Sequence, residues 1–225
     1  MATRIIYLIR HGQYHQIKDP SVTPDKPAVY GVDADEIQRD GGLTPAGVQQ
    51  AEFTAQRLQA LPIDCIYSST LPRAMQTAAI IAQAIPGVTN TAHRDLWECI
   101  PHVPAKLAAW AKKYPAAALK QDQEQADAAF TRYFQPIAGD ETADRHELLV
   151  CHGNLIRYFI CRTLEVSLDA WINMYPHNCG VSIVQIQPDG DCKLIAFNDT
   201  GHLPTHLLTF NALATSQVPE SQGRN

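Results

Sequence analysis

The chain has 225 residues (24.9 kDa), room for one large domain or two small ones. With 45% hydrophobic and 18% charged residues, and Gly at 12 and Pro at 15, it is neither disordered, collagen-like nor of low complexity. A net charge of −5, with no basic run longer than Lys112-Lys113, argues against nucleic acid or an anionic membrane surface as partner, because neutralising phosphates takes a concentrated basic face. The apolar run Ile5 to Ile9 is far short of the ~20 residues of a membrane span and lacks the core of a signal peptide, so the sequence predicts a cytoplasmic protein. Cys65, Cys99, Cys151, Cys161, Cys179 and Cys192 form no C-x-x-C pair, and they read as reduced core residues.

Short β-type runs alternate with helical segments, which predicts an α/β fold: a single-domain three-layer sandwich over residues 1–210, with a mostly parallel central sheet flanked by helices. Ile5-Ile6-Tyr7-Leu8-Ile9 has the continuous apolar character of a buried central strand. After it, Tyr14 to Gly42 carries Pro20, Pro24 and Pro27 and no clear period, so it reads as a long irregular excursion. Thr44 can cap a helix that has Pro45 in its first turn and Val48, Ala51, Ala55 and Leu58 on one face. A second strand is expected at Ile63 to Tyr67, then a helix from Leu71 to Ile85 stopped by Pro86-Gly87. Cys99 to His146 is an insertion with helical pieces near Lys106 to Tyr114 and through Ala126, Phe130, Tyr133, Phe134 and Ile137, expected to cap the sheet. Leu148 to Cys151 is a further strand, leading through His152-Gly153 into a helix from Leu155 to Leu164. Val181 to Ile186 and Cys192 to Phe197 form a hairpin around Pro188-Asp189-Gly190, and a polar tail from Asn211 to Asn225 is expected to fray.

The residues that carry chemistry sit where strands end. Arg10-His11-Gly12 follows the first strand and His152-Gly153 a later one, so two parallel strands would bring both histidines to the sheet edge where open α/β sheets bind ligands. Arg73 lies in the first turn of a helix, where free backbone N–H groups favour an anion. Glu98, beside Leu96 and Trp97, is the best placed acid, with Asp95 and Glu147 as alternatives. Two arginines can neutralise the equatorial oxygens of a transferring phosphoryl group. A neutral imidazole is a competent nucleophile, and one carboxyl of raised pKa can protonate the leaving group and then activate water. No His pair brackets an acid at helical spacing, so the sequence predicts neither a metal nor a cofactor.

Leu8-Ile9-Arg10-His11-Gly12, Ser68-Ser69-x-Leu71-x-Arg73-Ala74-x-Gln76-Thr77, Leu96-x-Glu98 and Cys151-His152-Gly153-Asn154 together resemble the ordered motifs of the histidine phosphatase superfamily, the phosphoglycerate mutase-like group, over roughly residues 4 to 205. The resemblance implies His11 as nucleophile, Glu98 as proton donor and acceptor, and Arg10, Arg73 and His152 as the phosphate pocket. Gln13-Tyr14-His15, Pro86-Gly87-Val88, Ile156-Arg157-Tyr158 and Asp199-Thr200-Gly201-His202-x-Pro204 are similar to the branch of mitochondrial phosphoglycerate-mutase-like Ser/Thr protein phosphatases. His11 falls at position 11, so the membrane location and multimer of that branch are not carried over. The mutase pattern continues from Arg-His-Gly with an acid and a Trp-Asn pair. Gln13-Tyr14 and Ile17 stand here instead, and Arg132 and Arg145 are the only arginines of the insertion, too far apart for a paired carboxylate clamp. The expected activity is therefore metal-independent phosphomonoester hydrolysis on phosphorylated proteins. A small-metabolite phosphatase, a mutase or a weakly active phosphate-binding module are the alternatives, and a homodimer is compatible with the sequence.

Overall fold

The computed structural model describes residues 2–16, 40–139 and 141–209. The middle of the excursion expected over Tyr14 to Gly42 and the tail from Asn211 lie outside the described residues. The chain forms β1 (Arg4–Arg10), β2 (Tyr14–Gln16), β3 (Asp40–Leu43), α1 (Pro45–Leu58), β4 (Cys65–Ser69), α2 (Pro72–Gln83) and β5 (Thr89–His93). It continues through α3 (Ala108–Ala111), α4 (Ala116–Tyr133), β6 (Arg145–Cys151), α5 (Gly153–Thr163), β7 (Val181–Ile186) and β8 (Cys192–Asp199). β2 and β3 pair with each other, and the other six strands make one sheet in the order β5-β4-β6-β1-β7-β8. β5, β4, β6 and β1 are parallel, while β7 is antiparallel to both β1 and β8.

The central position of β1 follows from its sequence. Ile6 and Leu8 point to one face of the sheet, where they pack with Leu149, Ala126, Tyr133 and Phe159, and Tyr7 and Ile9 point to the other, with Leu148, Val150, Leu58 and Ile81. A strand covered on both faces must be apolar through its buried middle, and Ile5 to Ile9 is. α1 and α2 cover the second face and α4 and α5 the first, which gives the three layers. Thr44 caps α1 by accepting from the Gly47 amide at 3.0 Å, with Pro45 at the first helical position.

Two expectations shift. The second strand runs over Cys65–Ser69, two residues later than its apolar run, because pairing with β6 starts at Cys65 opposite Glu147, while Asp64 accepts from the His146 amide at 2.7 Å instead. β5, Thr-Asn-Thr-Ala-His, is an exposed edge strand with no apolar alternation to betray it. The insertion also divides: α4 packs into the core through Tyr133 and the stacked Phe130 and Phe134 rings, 4.5 Å apart, whereas the stretch ending at Tyr114 borders a cleft.

Where α1 meets the end of β1, the backbones touch. A Cβ on Gly47 would lie 1.9 Å from the Gln13 carbonyl oxygen, and one on Gly12 would lie 2.6 Å from the Gly47 carbonyl oxygen. Gly47→Ala should therefore force the loop after His11 outward, lowering stability by roughly 1–3 kcal/mol as overpacking does. Urea unfolding of the variant with an unchanged midpoint would contradict this.

Candidate active site

β1 and β6 are parallel and in register, with Arg10 opposite Cys151, so the chain leaves both strands at one sheet edge and the His11 and His152 rings come to 5.0 Å between centroids. The His11 Nδ1–H donates to the Gly12 carbonyl at 2.8 Å, which leaves the Nε2 lone pair free to accept from Arg73 Nε at 3.1 Å. The same guanidinium reaches His152 Nδ1 through Nη2 at 3.1 Å, and His152 Nε2–H donates to Ser69 Oγ at 2.9 Å. Both rings are buried. Burial, then the Arg73 charge, holds each imidazole well below the usual histidine range, with Arg10 adding to both. Two neutral imidazoles thus share one cation.

Arg10 donates through Nη1 to the Pro176 carbonyl at 2.8 Å, while its Nε is buried without a hydrogen-bond partner. A buried, unpartnered N–H on a cation is costly unless an anion completes it. Tyr14 meets the His11 ring edge-on at 5.2 Å and lies under the Arg73 guanidinium at 4.6 Å, fixing both from the mouth of the site. Glu98 follows the buried Leu96 and Trp97, and its Oε1 accepts from the Asn154 amide in the first turn of α5 at 3.1 Å. Burial raises its pKa above the ordinary carboxylate value, and Arg73, Arg10 and Arg157 act against that rise. The other two acids are occupied elsewhere: Glu147 is paired with Arg4, and Asp95 accepts from Arg132 at 3.0 Å and from the Tyr133 hydroxyl at 3.2 Å.

Arg10, His11, Arg73 and Glu98 line one cleft of about 520 Å³. His152 is fully buried behind that wall and meets its lining through Arg73 and His11. His202 is structural: it accepts from Arg57 through Nδ1 at 3.1 Å and donates from Nε2 to the Cys179 carbonyl at 3.1 Å, and burial depresses its pKa to about 4. Its neighbour Asp199, bonded to Arg57 at 2.5 Å, is held down to about 2.

Several residues that sequence reasoning gave no role turn out to hold the nucleophile's loop. The Gly12 amide donates to Thr77 Oγ1 at 3.0 Å, the Gln13 amide to Gln50 Oε1 at 2.8 Å, and Asn178 Nδ2 donates to the His11 carbonyl at 2.7 Å. The segment at the end of the described chain steadies two of these: Gln50 Nε2 donates to the Leu207 carbonyl at 2.7 Å, and the Thr209 hydroxyl to Asn178 Oδ1 at 2.7 Å. Thr77 stands four residues after Arg73 on the same helix face, a signal that was readable. Gln50 and Asn178 are 37 and 167 residues from their partners, and no local pattern marks them.

Comparison with known proteins bears on the family and the fold. The family model described as histidine phosphatase superfamily (branch 1) matches residues 6–200. The chain is 33% identical over 211 residues to the mouse serine/threonine-protein phosphatase PGAM5, mitochondrial, covering 92% of this chain and 67% of that one. It is 32% identical over 213 residues to the Caenorhabditis elegans protein of that name, covering 93% of this chain and 67% of that one. The chain thus spans about two thirds of the length of these curated relatives. Among solved structures, phosphoglycerate mutase from Plasmodium falciparum superposes with a TM-score of 0.57 at 26% identity, covering 94% of this chain and 100% of that one. Bacillus stearothermophilus YhfR, at 20% identity and TM-score 0.61 over 88% and 98% of the two chains, shares the fold. The relatives correct one expectation. They are named as mitochondrial proteins, which overturns the cytoplasmic location inferred from composition and hydropathy, because a folded domain of this charge and apolar content is equally at home in either compartment. By its family match over 6–200 and by these relatives, the chain belongs to the histidine phosphatase superfamily.

Proposed function

We propose that the protein hydrolyses phosphomonoesters through a phosphohistidine on His11 and that its substrates are phosphoserine and phosphothreonine in proteins. The observation that carries the chemistry is the tautomer of His11: with Nδ1–H held by the Gly12 carbonyl at 2.8 Å, the unprotonated Nε2 faces an arginine-lined cleft that also holds Glu98. The substrate class is supported by the names of the curated relatives.

In the first step Arg73 Nε gives up His11 Nε2 for a phosphoryl oxygen, Nε2 attacks phosphorus and the ester P–O bond breaks, with the Glu98 proton passing to the departing alkoxide. In the second, water attacks phosphorus, its proton goes to the Glu98 carboxylate, and the P–N bond breaks to return neutral His11. Arg10 and Arg73 carry the charge on the phosphoryl oxygens, with His152 completing the phosphate pocket behind them. Positive charge comes from these side chains, so the scheme uses no metal or cofactor.

His11→Ala should reduce phosphate release from a phosphothreonine peptide, measured as an initial rate in EDTA, to no more than a few per cent of wild type. A larger residual rate would remove His11 from the mechanism. Glu98→Gln should slow an alkyl phosphate by ~10²-fold or more and an aryl phosphate much less, because the better leaving group hardly needs the proton. Equal losses on both would leave Glu98 a purely structural part.

The pH profile follows from the two shifts. His11 must be neutral and its pKa is lowered, so kcat/KM should persist below the ordinary histidine pKa near 6.5. Glu98 must be protonated and its pKa is raised, so the rate on an alkyl phosphate should fall as pH climbs through that raised value. Glu98→Gln should flatten this alkaline limb and keep the acid limb. An alkaline limb that is identical in the variant would contradict the assignment.

A further inference from the structure

Away from the phosphate end the cleft changes character. Beside Ile100 and Asn154, its lining there takes Leu107, Trp110 and Tyr114 from one segment and Trp171 and Ile172 from another. The Trp110 and Tyr114 rings lie 4.9 Å apart, Trp110 within α3 and Tyr114 just past its end. The two segments are tied together: the Trp171 indole N–H donates to the His102 carbonyl at 3.0 Å, His102 Nε2 contacts Asp169 Oδ1 at 2.7 Å, and Lys106 Nζ donates to Asn173 Oδ1 at 3.3 Å. This wall is therefore held in shape rather than formed by loose side chains.

The cations of the cleft are not spread evenly over it. Arg10 and Arg73 stand at the phosphate end, and the third lining cation, Arg157, is already engaged. Its guanidinium stacks on Trp171 at 4.6 Å and donates to the carbonyls of Gly153 at 3.2 Å and Met174 at 3.3 Å, and to Asn154 Oδ1. Among the described residues, then, the far wall offers aromatic and aliphatic surface and no uncommitted cation for a second acidic group. A cleft of about 520 Å³ exceeds what a phosphoryl group fills, lying within the ~300–1,000 Å³ of sites for drug-sized ligands.

We propose that this apolar wall is the subsite for side chains flanking the phosphorylated residue, so that the enzyme prefers phosphoserine or phosphothreonine sites with leucine or aromatic neighbours. The inference rests on the protein phosphatase reading above. The occupant is the remainder of the substrate because the apolar side chains line the same continuous cleft as Arg10, His11 and Arg73. A dianion with an apolar neighbour matches that lining, whereas a small phosphorylated carboxylic acid would set its carboxylate against indole and leucine.

The test is kcat/KM on phosphothreonine peptides identical except for leucine, glycine or aspartate on both sides of the phosphothreonine, with 3-phosphoglycerate as the small acidic comparison. Leucine flanks should exceed glycine flanks by ~10-fold, the scale of burying part of one apolar side chain. Aspartate flanks should do no better than glycine, and 3-phosphoglycerate should be slowest. In Trp110→Ala, and separately in Tyr114→Ala, the leucine-to-glycine ratio should fall toward one. The wild-type series decides the matter by itself if either variant fails to fold. Turnover of all three peptides at equal rates, or fastest with aspartate, would overturn this subsite and leave the protein phosphatase reading standing. No turnover of any peptide beside rapid turnover of 3-phosphoglycerate would overturn both.

Discussion

One buried guanidinium organises this site. Arg73 reaches His11 and His152 at 3.1 Å each, and both contacts require an imidazole nitrogen that accepts. A protonated ring in either place would set like charges together in a dehydrated wall, so burial and the cation jointly keep the rings neutral. The same arrangement that holds Arg73 in place for an anion thus keeps His11 Nε2 unprotonated, its lone pair accepting from Arg73 Nε until a phosphoryl oxygen takes that N–H. Positioning and activation come from a single contact.

That contact needs a backbone that does not yield, and the loop after β1 shows how it is secured. The Arg10 carbonyl accepts from the Cys179 amide at 2.8 Å, the His11 amide donates to the Cys151 carbonyl at 3.0 Å, and the Gln13 carbonyl accepts from the Thr44 amide at 2.9 Å. Thr77, Gln50, Asn178 and the His11 ring itself take the other amides and carbonyls from His11 to Gln13. Buried backbone groups in a short loop packed against α1 must each find a partner, and here the protein supplies them. Those partners come from four separate stretches of chain, which makes the nucleophile's position a product of the whole fold.

Much of this was legible beforehand. The unbroken apolar run of β1, the Thr44-Pro45 start of α1 and the position of Arg73 in the first turn of α2 are local signals, and each element formed where its signal lay. β5 was not legible, because an exposed edge strand has no face to bury and its Thr-Asn-Thr-Ala-His sequence carries no alternation. Arg157 was visible only as part of a motif, and its stacking on Trp171 and the polarity it leaves in the cleft depend on a segment 14 residues further along.

The sequence alone determined the α/β architecture and proposed the residue types of the site, since strand burial and helix starts are written in apolar periodicity and capping residues, and the strand-end Arg10-His11 pair stands in order with Arg73, Glu98 and His152. Among the three acids the sequence favoured Glu98, and the tertiary structure adds that Glu98 lines the cleft while Asp95 and Glu147 are engaged by other partners. It also decided that His152 stands behind Arg73 rather than at the cleft surface, and that the far wall is apolar. Side chains scattered from Gln50 to Thr209 meet at His11 because the parallel register of β1 and β6 brings their elements to one edge, a distance relation that no local pattern can carry.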